Sequence, residues 1–95
     1  MILTFADAET EKIWNGRRSR ALSGVPQDVA RRKLRQIQAA ETPLELANPP
    51  GNRFEKLHGT GEPRYSIRIN DQWRIVLHWS DGGANGVQIM DYHKG

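Results

Sequence analysis

Asp91, Tyr92 and His93 set a carboxylate, a phenol and an imidazole in succession near the carboxyl end, with Lys94 and Gly95 behind them. A histidine titrates near neutral pH, at about 6.5 when unperturbed, so it can give or take a proton under ordinary conditions. Arg64, Arg68 and Arg74 stand ahead of this tail, and a guanidinium can hold phosphate oxygens bidentately. These residue types suffice for metal-free cleavage of an RNA phosphodiester. That chemistry needs a base for the attacking 2′-hydroxyl, an acid for the departing 5′-oxygen, and fixed positive charge on the phosphorane. Arg68 and Arg74 suit the last role, and His93 suits base or acid. Asp91 is a candidate to orient His93 or hold an arginine. Tyr92 is a candidate proton donor or a platform for a splayed base. Lys56 and His58, in the loop ahead of the arginines, are further candidates for the acid. Each has a plainer reading: an exposed terminal histidine, a tyrosine capping the core, and His58 or His78 facing solvent.

The elements that must position these groups follow from periodicity. Tyr65, Ile67 and Ile69 alternate with Arg64, Ser66 and Arg68, and Trp73, Ile75, Leu77 and Trp79 alternate with Arg74, Val76 and His78. Period two marks half-buried antiparallel strands. A turn at Asn70-Asp71 alone would pair Ile67 with Arg74 and mix apolar with charged residues on one face. Pairing Ile69 with Trp73 aligns the apolar set instead. That register predicts Arg68 across from Arg74 and Arg64 across from His78. Opposed guanidiniums repel by up to about 1 kcal/mol, and an anion between them would convert the repulsion into a clamp. The alternative is that Asp71, Asp91 or Glu55 neutralises the pair.

Upstream, Ile2 to Phe5 reads as a short strand. Asp7 is placed as an N-cap with Glu9 and Glu11 in the first turn, and Gly16 is placed to stop the helix after Trp14. Ser23-Gly24-Val25-Pro26 introduces a second helix. Ala30, Leu34 and Ile37 form its apolar stripe, with Arg31, Arg32 and Arg35 facing outward. Thr42-Pro43 ends it, and Asn48-Pro49-Pro50-Gly51 is a breaker. Asp81 to Gly86 reads as a flexible turn before a closing strand, Val87 to Tyr92. The expected fold is α+β: an N-terminal strand and two helices packed on one face of a small twisted antiparallel sheet, forming a single domain over residues 1–95.

The chain has 95 residues, enough for one core, and no cysteine, which excludes disulfides and thiolate metal sites. The three histidines lack zinc-ligand spacing, so no metal is expected. Gly82-Gly83 lacks the context of a nucleotide-binding loop, and no cofactor is expected. No apolar run approaches the ~20 residues of a membrane span, and the N-terminus does not read as a signal peptide. The expectation is a cytoplasmic protein. Net charge is +3, but eight basic residues (Lys12, Arg17, Arg18, Arg20, Arg31, Arg32, Lys33, Arg35) face one acid, Asp28, in a single segment. From Thr42 onward six basic residues balance six acids. That asymmetry points to a polyanion or, more plainly, to a solvated helix face. Arg17, Arg18, Arg20, Arg31, Arg32, Lys33 and Arg35 are therefore candidate RNA contacts, together with Arg53, Lys56 and Arg64.

Three blocks carry a resemblance: Asn48-Pro49-Pro50-Gly51-Asn52-Arg53, Ser66-Ile67-Arg68-Ile69-Asn70-Asp71-Gln72-Trp73-Arg74, and Asp91-Tyr92-His93. With them the chain resembles the HigB-type toxins of the RelE/ParE superfamily, nearly end to end. The resemblance implies a microbial-ribonuclease-like fold and metal-independent cleavage of mRNA at the ribosomal A site. It also implies a HigA-type helix-turn-helix antitoxin, with the 70S ribosome and mRNA as further partners and operator DNA reached only through the antitoxin. Arg74, Asp91, Tyr92 and His93 match the family's active-site positions, with Arg68 beside them. Some relatives carry a catalytic His and Lys before the hairpin; here Glu55 and His58 take those places. Two rival readings are a ParE-like, non-nucleolytic toxin that inhibits a topoisomerase and a nucleic-acid-binding module without catalysis.

Overall fold

The computed structural model describes residues 1–59 and 61–92. Two helices, α1 (Ala8–Trp14) and α2 (Gln27–Ala39), lie on one face of a four-stranded antiparallel sheet. Its strands are β1 (Glu55–Leu57), β2 (Arg64–Arg68), β3 (Trp73–Ser80) and β4 (Gly83–Asp91), in spatial order β1-β2-β3-β4. This is the expected α+β arrangement.

α1 begins and ends where its sequence directs, whereas α2 stops at Ala39, ahead of the Thr42-Pro43 stop expected for it. Asp7 accepts from the Thr10 amide at 2.6 Å, and Gly16, at φ 80°, lets the chain turn away after α1. Ala30, Leu34 and Ile37 on α2 are fully buried with Ile13 of α1 against Ile67, Ile75, Leu77 and Val87 of the sheet. The loop between the helices is tied down by one side chain. Gln27 donates to the carbonyls of Ser19 and Leu22, both at 2.9 Å, and accepts from the Ser19 amide at 3.0 Å.

The β2–β3 register is the one predicted from alternation: Arg64 faces His78, Ile67 faces Ile75 and Arg68 faces Arg74. Three other expectations need correction. Residues 2–5 form no independent strand; they make isolated parallel bridges, Ile2 to Ala84 and Phe5 to Val87, along the edge of β4. The glycine-rich stretch from Asp81 to Gly86 is not a long turn. Asp81 and Gly82, both left-handed, close a two-residue hairpin, and Gly83 already pairs with Ser80. Gly86, at φ 58°, sits where the β3–β4 register shifts and acts as a bulge inside the strand. Finally, residues 55–57, expected to be loop, form β1 through pairing of Glu55 with Ser66 and Leu57 with Arg64.

Candidate active site

Alternation along β2 and β3 sends Arg68 and Arg74 to the face opposite the helices, and Tyr92 extends β4 onto the same face. The Tyr92 amide donates to the Gln72 carbonyl, which holds the ring beside the arginines. The Arg74 Cζ lies 5.8 Å from the centre of that ring, a distance at which a cation is attracted to the aromatic face. Arg53, Arg68, Arg74 and Tyr92, with Glu55, Asn70 and Asp71, line an open hollow of about 670 Å³.

Arg74 is 8% exposed and firmly held. Its Nε donates to Ser66 Oγ at 2.9 Å, and its Nη2 donates to the Arg53 and Ser66 carbonyls. Nη1 lies 4.0 Å from Glu55 Oε1 at the rim. Ser66 is itself fully buried. Arg68 is more accessible and reaches Asp71 Oδ1 at 2.6 Å, where Arg68 holds the Asp71 carboxyl below its usual range and the charge of Arg53 adds to the effect. The Asp71 side chain is 99% exposed, and an exposed pair of this kind is weak enough for another anion to displace. Three cations (Arg53, Arg68, Arg74) against two carboxylates (Glu55, Asp71) leave the lining one positive charge in excess. The neutralisation foreseen as an alternative is thus present in part, through Asp71 and Glu55.

Arg53 adopts a left-handed backbone, φ 44° and ψ 53°, which costs a non-glycine residue about 1–2 kcal/mol. It follows the one-turn 3-10 segment Pro50–Asn52, whose last residue is fully buried. Asn52 Nδ2 donates to Gln36 Oε1 at 2.8 Å and to the Leu46 and Asn48 carbonyls, and Lys33 Nζ donates to Asn52 Oδ1. Burial is the main cause of a lowered Lys33 pKa, with repulsion from Arg32 and Arg68 behind it.

The remaining candidates are more scattered. Asp91 pairs in register with Trp73, on the face opposite Arg74, and accepts from Gln72 Nε2 at 3.2 Å. His93 lies outside the described residues. Lys56 is not in a loop: it pairs with Tyr65, so alternation turns it from the arginine face. His58 opens with Lys56 and Arg64 on a separate hollow of about 360 Å³ and does not join Arg68 and Arg74. Arg64 faces His78, which is paired with Glu62 at 3.1 Å. Arg17, Arg18, Arg20, Arg32 and Arg35 are exposed. Arg31 was expected to face outward, but it is folded back so that its Nε caps the Ile13 carbonyl at 2.9 Å. Carbonyls at a helix C-terminus lack intrahelical partners, and this long cation from α2 adds a second donor to the Ile13 carbonyl, which also accepts from the Gly16 amide at 3.0 Å. Sequence reading missed Ser66 and Asn52 as partners of the site. A small hydroxyl between two arginines on one strand face was the available signal for Ser66, whereas Asn52 gave none. Among the described residues no group of three or more His, Asp or Glu is placed to hold a metal ion, and no helix is long and apolar enough to cross a membrane.

A family model described as the RelE-like toxin of the type II toxin–antitoxin system HigB matches residues 3–93. The chain belongs to the HigB-like toxin family. It is 37% identical over 95 residues to the protein named Toxin HigB-1 of Vibrio cholerae serotype O1, across 99% of each chain. It is also 36% identical over 74 residues to the protein named Endoribonuclease HigB of Proteus vulgaris, across 75% of this chain and 79% of that one. As a HigB-like toxin it acts within a toxin–antitoxin system, and an antitoxin is therefore its partner. The two helices on a four-stranded antiparallel sheet are the RelE-like scaffold of this HigB-like toxin.

Proposed function

We propose that this toxin is an endoribonuclease that cleaves mRNA on the ribosome, without a metal ion, and so halts translation and growth. The observation that carries the proposal is the pair Arg68 and Arg74, opposed on neighbouring strands in an open hollow with Tyr92 against Arg74. The name of the Proteus vulgaris relative points to the same chemistry. The scissile phosphate sits between Arg68 and the outward Nη1 of Arg74, displacing Asp71. The 2′-oxygen bonds to phosphorus as the bond to the 5′-oxygen breaks, leaving a 2′,3′-cyclic phosphate and a free 5′-hydroxyl. The arginines bear the charge that builds on the phosphorane. His93 and Tyr92 move the two protons, since His58 opens on the neighbouring hollow, and Asp91 acts from the strand end next to Tyr92. The partners are a HigA-type helix-turn-helix antitoxin, through which alone operator DNA is met, and the 70S ribosome. Arg17, Arg18, Arg20, Arg32 and Arg35 dock on ribosomal RNA in the cytoplasm.

Primer extension on cellular mRNA after brief induction tests this reading, with wild type beside Arg74→Ala. Wild type should give new 5′ ends in a fixed position within codons, and Arg74→Ala should reduce them by about 10²-fold or more, the scale of losing a charge-stabilising donor. Intact transcripts under full growth arrest would sink the proposal.

A further inference from the structure

Arg74 has five N–H donors, and the protein occupies those on one side of the guanidinium. Nε is taken by Ser66 Oγ and Nη2 by the carbonyls of Arg53 and Ser66, so Nη1 is the nitrogen turned toward the rim beside Glu55. A planar fork held along one edge can rotate neither about Nε–Cζ nor out of its plane without breaking bonds to the groups that hold it. One of those groups, the Arg53 carbonyl, is aimed by a left-handed backbone that its side chain does not favour. That backbone follows Asn52, whose amide is fully buried and bonded to α2 through Gln36 and Lys33 and to the preceding turns through Leu46 and Asn48.

We infer that the Asn52-Arg53 turn is a positioning device: by holding Arg53 left-handed it presents a carbonyl that fixes the Arg74 guanidinium, with Ser66, so that Nη1 meets the scissile phosphate without reorganisation. Asn52, the Arg53 main chain and Ser66 are then positioning residues for the proposed cleavage, and the inference rests on that reading. Preorganised donors stabilise developing charge because they need not be reoriented during the reaction. The role belongs to the main chain of Arg53, separate from any contact of its side chain with RNA.

Two substitutions divide backbone from side chain. Arg53→Gly and Arg53→Val both delete the guanidinium, but glycine adopts the left-handed conformation freely while a β-branched residue resists it. Single-turnover cleavage of mRNA on programmed ribosomes, measured against enzyme concentration, should show Arg53→Val about 10-fold or more slower than Arg53→Gly at saturation. The half-saturating concentrations should agree within about threefold. The NMR signal of the Arg74 Nε–H, protected from solvent exchange by Ser66, should persist in Arg53→Gly and weaken in Arg53→Val. Ser66→Ala loosens the same guanidinium from its other side, and it should slow the saturated rate with little change in half-saturation should Arg53→Val not fold. Equal saturated rates for folded Arg53→Gly and Arg53→Val would overturn the inference, as would a Ser66→Ala protein as fast as wild type. Those results leave the proposed function standing. A wild-type protein that cuts no mRNA, while its Arg74 Nε–H stays protected, would instead overturn the proposed function and with it the catalytic role inferred here.

Discussion

Arg68 and Arg74 face each other across two strands, yet they play unequal parts. Arg74 is buried and its hydrogen-bond partners are neutral, with Glu55 4.0 Å away at the rim, so its cost of desolvation is met mainly by Ser66 Oγ and two carbonyls. Arg68 is held by a single carboxylate at the surface. In the proposed cleavage, Asp71 would hold the place of the phosphate at Arg68 until RNA binds. Asp71→Asn is expected to tighten binding of a non-cleavable, 2′-deoxy-substituted RNA by a few-fold at low salt, the modest scale of a surface ion pair. The gain should shrink as salt rises and screens the exposed charges. Filter binding across a salt series checks this, and an affinity unchanged at every salt concentration would show that Asp71 does not compete with the phosphate.

Strand and helix boundaries decide which of these side chains meet, and their legibility varied with physical cause. The β2–β3 register could be deduced because one face had to be apolar throughout, which leaves a single alignment for Ile67, Ile69, Trp73 and Ile75. β1 could not: Glu55-Lys56-Leu57 has no apolar alternation, and its pairing with β2 alone makes it a strand. The same blind spot placed Lys56 and His58 near the arginines when the sheet turns Lys56 away and sets His58 in another hollow. Gly83 and Gly86 read as loop in the sequence because glycine is rare in strands. Here Gly83 lies so close to Met1 and Leu3 that a Cβ would come within 2.8 Å of the Met1 carbonyl, and Gly86 supplies a bulge. Gly86→Ala should therefore destabilise the fold by about 1–2 kcal/mol, since its φ is 58° and the new Cβ would lie 2.9 Å from His78 Cε1; urea denaturation measures this. On α1, the Ser19 hydroxyl first and Lys12 second hold the Glu9 carboxyl below its usual value near 4.5. A depressed carboxylate contributes stability above its unfolded pKa and loses it as pH falls through the folded value. The difference in Tm between wild type and Glu9→Gln should then be constant from pH 7 to about 5.5 and shrink toward pH 3. A difference that grows on acidification would reverse the sign argued here.

At the scale of the whole molecule, the basic segment comes within electrostatic reach of the site at one point. Lys33 on α2 is repelled both by Arg32 beside it and by Arg68 on β2. Arg17, Arg18 and Arg20 extend that segment on a loop pinned by Ser19 and Gln27, and their exposed side chains make few internal demands on the fold. Positive charge arranged this way raises the encounter rate with a polyanion and contributes little to the chemical step. The variant carrying Arg17→Gln, Arg18→Gln and Arg20→Gln should associate with 70S ribosomes about 10-fold more slowly at low ionic strength, measured by stopped-flow. Near 0.5 M salt, where exposed charges are screened within a few ångströms, it should match wild type. Single-turnover cleavage of mRNA already bound should proceed at the wild-type rate. A variant that associates normally but cuts slowly would place these arginines at the reacting phosphate, and the division of labour between loop and sheet would have to be redrawn.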